Sequence, residues 1–222
     1  MIADFNFRVI FDYLPLYFQC LWVTAWMSSL ALVGAFMVGA LACGMKISRF
    51  RILRAPASVY IEVIRSTPLL AQLYFFYFGL PSLGVRLNEE VTGVMALTLN
   101  SGAYMAEIIR AGIMSIPKGH IEAGMATGLG YLRRMRHIVL PQALGATIPP
   151  LLGQAIVLVK DSSLLSLISI AELTRAGQIL TSERFMPAEG FITTAVFYLI
   201  LYYLLKTLSN WSQKRLIFRE AR

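Results

Sequence analysis

The chain has 222 residues, 57% of them hydrophobic and 14% charged, with a formal net charge of +8. A soluble domain carries about 25% charged residues, so this composition excludes one and indicates a membrane protein. The basic excess does not point to nucleic acid, because Lys and Arg cluster beside apolar segments, as they do in the cytoplasmic loops of membrane proteins.

Five long apolar segments follow one another, at roughly 17–45, 56–80, 91–113, 141–159 and 191–208. A helix needs about 20 apolar residues to cross the hydrocarbon core, and backbone groups in lipid must bond internally. The expected fold class is therefore an all-α membrane protein of about five transmembrane helices, forming a single transmembrane domain over residues 1–222. Asp4, Arg8 and Asp12 precede the first segment. That segment exceeds the about 7–15 apolar residues of a secretory signal, so it reads as a span. Cys20 and Cys43 lie on it, about 35 Å apart along a helix axis, too far to pair.

An odd number of spans puts the termini on opposite sides. With the C-terminus inside, fourteen Lys and Arg fall in cytoplasmic segments and five in external ones, with Arg65 left inside a span. That asymmetry sets the N-terminus external and the C-terminus cytoplasmic. The second segment contains Glu62 and Arg65, and the third ends with Glu107 and Arg110. Both pairs are spaced i, i+3 and can share a helix face, either as structural ion pairs or as parts of a gate. The aromatic run at 74–78 reads as lipid-facing or interfacial.

The connection between the third and fourth segments is the unusual part. "GHIEAGMATGLGYLRRMRHIVLP" (119–141) is basic and rich in small residues. Helix-forming sequence runs to Gly128, glycines 128 and 130 allow a turn, and "YLRRMRHIVL" can form a second short helix. Pro141 suits the first turn of the next span. By its residues alone this segment is equally an amphipathic loop on the membrane surface. His120 and His137 have no ligand partners in the sequence, so no metal site is expected. The polar region 160–189 reads as a re-entrant or external segment packed against the bundle, and the last residues as a solvated tail.

Intramembrane polar residues are costly and often functional. Asn100 falls mid-segment in the third span, Gln154 in the fourth, and Asp161 and Ser162 follow at its external end. Gln154 and Asp161 are two helical turns apart and can share a face. An amino-acid zwitterion needs an acceptor for its ammonium and donors for its carboxylate, which these four residues can supply. Packing through interhelical hydrogen bonds is the other reading of Asn100 and Gln154.

Glu122-Ala123, then Gly128, then Ile138-x-Leu140-Pro141 resembles the cytoplasmic EAA loop of ABC-importer permease subunits, here at about 114–141. Gly124 departs from the pattern, which usually has Ala. "RSTPLLAQLYFFYFGLP", "LTLNSGAYMAEIIRAGI" and "VKDSSLLSLISIAEL" resemble the polar amino-acid branch of that family. The resemblance implies the type I importer permease fold and a subunit of the bacterial inner membrane. It also implies transport of a polar amino acid such as glutamine, glutamate or cystine by alternating access.

The resemblance further implies that Glu122, Ala123, Gly124, Gly128, Ile138, Leu140 and Pro141 couple the chain to a cytoplasmic ABC ATPase dimer, with Gly124 loosening the first loop helix yet permitting close docking. It places Asn100, Gln154 and Asp161 in the translocation cavity, where an amide at 154 suits a neutral or acidic substrate side chain. The implied partners are that ATPase, an extracytoplasmic substrate-binding protein and a second permease copy or homologue. The chain has no GxxxxGK[ST] phosphate loop, so no cofactor is expected in it, and ATP and Mg belong to the ATPase. A secondary transporter would need coupling-ion sites and repeated or broken helices. An intramembrane enzyme would need a motif such as HExxH or GxSxG, and neither occurs.

Overall fold

The computed structural model describes residues 5–220, with side chains described through residue 211. The helices are α1 (Val9–Lys46), α2 (Arg51–Ser66), α3 (Leu69–Tyr74), α4 (Leu80–Ser82), α5 (Glu89–Met114), α6 (Lys118–Ala126), α7 (Tyr131–Arg134), α8 (Leu140–Asp161), α9 (Leu173–Arg184) and α10 (Pro187–Glu220). No strand occurs among the described residues. The tail from residue 212 onward, expected to be solvated, lies outside the residues with described side chains.

Among the described residues, three stretches are long and apolar enough to cross a membrane: Val9–Lys46, Tyr131–Ile168 and Pro187–Trp211. Helix α5, with 26 residues, is about 39 Å long and has the length to span, though it is more polar. The second apolar segment corrects the expectation of one helix. It breaks at Thr67, which is extended at φ −118°, ψ 144° ahead of Pro68, because the proline ring disfavours helical geometry in the residue before it.

Two π turns share one local cause. Phe75–Gly79 precedes Leu80-Pro81, and Met135–Val139 precedes Leu140-Pro141. In each the leucine N–H donates five residues back, to Phe75 and to Met135. A proline has no N–H and its ring clashes with the carbonyl four residues earlier; widening the turn before it removes the clash. Helix therefore runs without interruption from Tyr131 to Asp161. This replaces the separate second loop helix and the fresh start at Pro141 expected from sequence. In the other π turn, Phe75 and Phe78 are exposed while Phe76 and Tyr77 are half-buried.

The chain divides into two compact units, Met1–Val33 with Pro68–Thr98 and Ile156–Lys206, and Gly34–Thr67 with Leu99–Ala155 and Thr207–Arg222. In the first, Tyr17 and Cys20 of α1 form a core with Leu173, Ala176 and Leu180 of α9. The segment 160–189 is thus packed into this unit, as a 3-10 stretch (Ser162–Ile168) followed by α9. Gly177 and Gly190 let α9 and α10 meet closely: a Cβ on Gly190 would lie 2.9 Å from the Gly177 carbonyl oxygen. Tyr17 donates to the Gly190 carbonyl at 2.8 Å and stacks on Phe197.

In the second unit the crossings again use small residues, which let helices in lipid approach closely. A Cβ on Gly39 of α1 would lie 2.9 Å from the Gly102 carbonyl oxygen of α5. One on Gly112 of α5 would collide with the Thr147 methyl of α8. Tyr60 of α2 donates to the Leu99 carbonyl at 2.6 Å.

Candidate functional site

The loop between α5 and α8 is built around two glycines with different tasks. Helix α6 ends in a Schellman motif. The Leu129 N–H donates to the Gly124 carbonyl at 3.1 Å and the Gly128 N–H to the Met125 carbonyl at 2.9 Å. Gly128 sits at φ +76°, where a Cβ is strained. Arg134 then donates to the Leu129 carbonyl at 2.9 Å, tying the corner to α7. His120 Nδ1 and Gln142 Oε1 lie 2.8 Å apart, which holds the start of α6 to the start of α8.

Gly124 is buried, and a Cβ there would lie 2.5 Å from Ile138 Cδ1 and 3.2 Å from Arg134 Cδ. Its small size closes α6 onto the following helix, a contact within the loop itself. Ile138 is the other half of that internal contact. By contrast Glu122, Ala123, Met125 and Ala126 are exposed, and Glu122 makes no hydrogen bond or ion pair among the described residues. Leu140 and Pro141 are exposed at the start of α8.

One carboxylate in the second unit gathers three cations. Glu107 accepts from Lys46 Nζ at 2.7 Å and from Arg110 Nη2 at 2.8 Å, and Arg65 Nη1 lies 3.9 Å away. The expected Glu107–Arg110 pair is present. The expected Glu62–Arg65 pair is not: Arg65 turns to Glu107 and lies over the Tyr104 ring at 5.3 Å. Glu62 is exposed and makes no ion pair among the described residues. Glu62, Arg65, Lys46 and Tyr104 line a cavity of about 410 Å³. A carboxylate shared by three cations carries more positive than negative charge in its surroundings, so α1, α2 and α5 are held by a network rather than by one pair.

The four polar residues expected on the substrate route fall in both units. In the second, Asn100 is buried and Gln154 half-buried; Gln154 Nε2 reaches Ser101 Oγ at 3.5 Å. Ser101, beside Asn100, escaped the sequence reading because a serine in an apolar run carries no distinctive spacing. In the first unit Asp161 is half-buried and makes no hydrogen bond among the described residues. Ser162 is fully buried and donates to the Val159 carbonyl at 2.8 Å, so its proton is already committed to its own helix.

The first unit also holds a buried acid that the sequence did not single out. Glu172 is 0% exposed. It caps α9 by accepting the Arg175 N–H at 3.0 Å, and its other oxygen accepts the Tyr198 hydroxyl at 2.5 Å. Burial pushes its carboxyl up to about 7, against the lowering effect of Tyr198 and of the backbone donors. A Glu between an apolar run and a helix start was the available signal.

The sequence model of the binding-protein-dependent transport system inner membrane component family matches residues 19–221. The chain is 38% identical over 211 residues to the probable glutamine ABC transporter permease protein GlnM of Bacillus subtilis (strain 168), covering 95% of this chain and 98% of that one. It is 38% identical over 215 residues to the glutamine transport system permease protein GlnP of Escherichia coli (strain K12), covering 96% and 98%. Among solved structures, the crystal structure of an amino acid ABC transporter with histidines superposes with a TM-score of 0.92. It is 35% identical, and the match covers 96% of this chain and 100% of that one.

Proposed function

The chain belongs to the family of binding-protein-dependent transport system inner membrane components, and from that premise we propose which substrate it carries and which residues drive it. It is a permease subunit of an inner-membrane ABC importer, a class whose ATPase is a separate subunit. Its substrate is a neutral polar amino acid of the glutamine type. Two relatives at 38% identity are named for glutamine, and the amide of Gln154 supplies both a donor and an acceptor without a net charge.

The observation that carries the coupling role is the exposed Glu122–Ala123 face of α6, held at a fixed angle by the left-handed Gly128 and by Gly124 packed against Ile138. Glu122 meets a basic or amide group on a cytoplasmic ATPase, and Leu140 and Pro141 border that contact. Closure of the ATPase dimer, which holds the ATP and Mg, displaces α6. The continuous helix from Tyr131 carries the displacement into the membrane. In the second unit Asn100 and Gln154 line the substrate route; in the first, Asp161 serves as an acceptor for a substrate ammonium and Ser162 positions the end of α8. The Glu107 network with Lys46, Arg65 and Arg110 closes the cytoplasmic side, and Glu62 faces the cavity beside it.

Alternating access needs a second membrane half, supplied by another copy or a similar permease. With five spans, the second formed by the broken segment on either side of Thr67, the distribution of Lys and Arg supports an external N-terminus and a cytoplasmic C-terminus. The test is reconstitution of the chain with its ATPase and its binding protein in proteoliposomes. Glutamine-loaded binding protein should raise ATP hydrolysis and drive uptake, while arginine should not. Hydrolysis indifferent to the loaded binding protein would overturn the reading.

A further inference from the structure

We infer that the second unit carries a binding site for one anionic phospholipid of the cytoplasmic leaflet, beside the α6–α7 loop. A cavity of about 930 Å³ lies in this unit, at the upper end of the range of small-ligand pockets, about 300–1,000 Å³. Its walls are apolar: Ile109 and Ile113 from the end of α5, and Met135 and Leu140 from the π turn and the start of α8. Gly44 of α1 lines it too, and a Cβ added there would meet no atom within 4 Å, so the space beside α1 is open.

The mouth has a different chemistry. There we place Ser48, Arg49 and Phe50, which also line the cavity and lie in the turn between α1 and α2. The Arg49 guanidinium lies over the Phe50 ring at 4.9 Å and makes no ion pair among the described residues. Arg51 and Arg54 follow on the first turn of α2, exposed and likewise without an ion pair among those residues. An apolar hollow of this size is not left facing water or headgroups, and apart from the weak thiol donor of Cys43 the hydrogen-bonding side chains on its wall are Ser48, Arg49 and Tyr131. A polar amino acid would leave most of that wall uncovered. A molecule with a long apolar chain and one anionic end satisfies both parts: acyl chain against Ile109, Ile113 and Met135, phosphate at Arg49. Basic residues beside a span attract anionic lipid in this way. Because Met135 and Tyr131 belong to the helix that leaves the loop corner, the seated lipid braces that helix.

The site rests on the cytoplasmic placement of this loop, but it is read without ATP, substrate or partners, so it stands or falls separately from the transport reading. The full chain is placed in nanodiscs of phosphatidylcholine containing a minor fraction of phosphatidylglycerol, and the lipid that stays bound on release is counted by native mass spectrometry. Wild type should retain one phosphatidylglycerol, enriched about fivefold over its share, the preference one basic side chain gives near a surface. Arg49→Gln, at an exposed position, should abolish the enrichment while a lipid of either class is still retained. Ile113→Trp, filling the cavity, should remove the retained lipid. Retention without headgroup preference, or a preference unchanged in Arg49→Gln, would overturn the assignment. So would loss of the lipid on addition of the ATPase subunit, which would assign the hollow to a protein side chain instead.

Discussion

The Tyr198 hydroxyl of α10 donates to the Glu172 carboxylate at 2.5 Å, at the N-terminus of α9 and 26 residues away in the chain. This bond lets a fully buried carboxyl be held where α9 begins.

The pH dependence follows from its sign. Burial raises the Glu172 carboxyl from 4.5 to about 7, so between those values the folded protein holds a proton that the unfolded chain has released. Stability from this group therefore falls as pH rises through that window and is level above it. Thermal unfolding in detergent should give a lower Tm at pH 8 than at pH 5. Glu172→Gln should flatten the difference. Tyr198→Phe should steepen it, at a cost of about 1–3 kcal/mol at pH 8, because a hydrogen bond to the charged form is lost.

Gly128 should be replaceable only by residues that accept a left-handed backbone. Gly128→Asn should hold the loop corner, whereas Gly128→Val should cost roughly 1–2 kcal/mol or more. Limited proteolysis between α6 and α7 reads the difference: faster cleavage of the Val variant is expected, and equal rates would show that the corner is held otherwise.

Reversing the charge at Glu122 should break coupling without harming the fold. Glu122→Lys should lower uptake about tenfold or more, the loss expected for one charge-assisted contact, with an unchanged Tm. Gly124→Ala should behave nearly as wild type, because the Ile138 terminal carbon can turn aside. Gly124→Val should separate α6 from the helix it rests on. Co-purification with the ATPase distinguishes the three.

Glu107 and Glu62 should respond very differently to neutralisation. Glu107→Gln leaves Lys46, Arg65 and Arg110 facing one another and should cost about 2 kcal/mol or more in stability. Glu62→Gln removes no ion pair and should leave the stability within about 0.5 kcal/mol of wild type. A similar loss in both would contradict the arrangement around Glu107.

Asp161→Ala should weaken uptake while the ATPase stays bound. Gln154→Glu should shift preference toward cationic amino acids, since it adds a carboxylate in place of an amide. Competition of labelled glutamine uptake by arginine measures that shift; an unaltered profile in Gln154→Glu would remove this residue from the substrate route.

Much of the site was legible because its determinants are local. The corner at Gly128 follows from glycine spacing, and the Glu107–Arg110 pair from helical periodicity. Three features were not. Lys46 reaches Glu107 across 61 residues, and Arg65 prefers that same carboxylate to the nearer Glu62, because only the folded unit shows that several cations converge there. Gly124 packs against Ile138, 14 residues on, a contact that small-residue spacing alone does not reveal. The π turns escaped because a proline within a helix signals a break or kink equally well, and a one-residue widening leaves no mark in composition.

The uninterrupted helix from Tyr131 to Asp161 has a consequence for how such a gene can change. Each residue added to a helix turns everything beyond it by about 100°. Deleting one codon between Tyr131 and Gln154 would swing the amide away from its present azimuth relative to the loop corner, while a substitution at the same place leaves the phase intact. Losses or gains of a full turn, three or four codons, come close to restoring it. Length in this stretch is therefore under tighter restraint than residue identity, with the turn at Met135–Val139 the one place where a single extra residue is already absorbed.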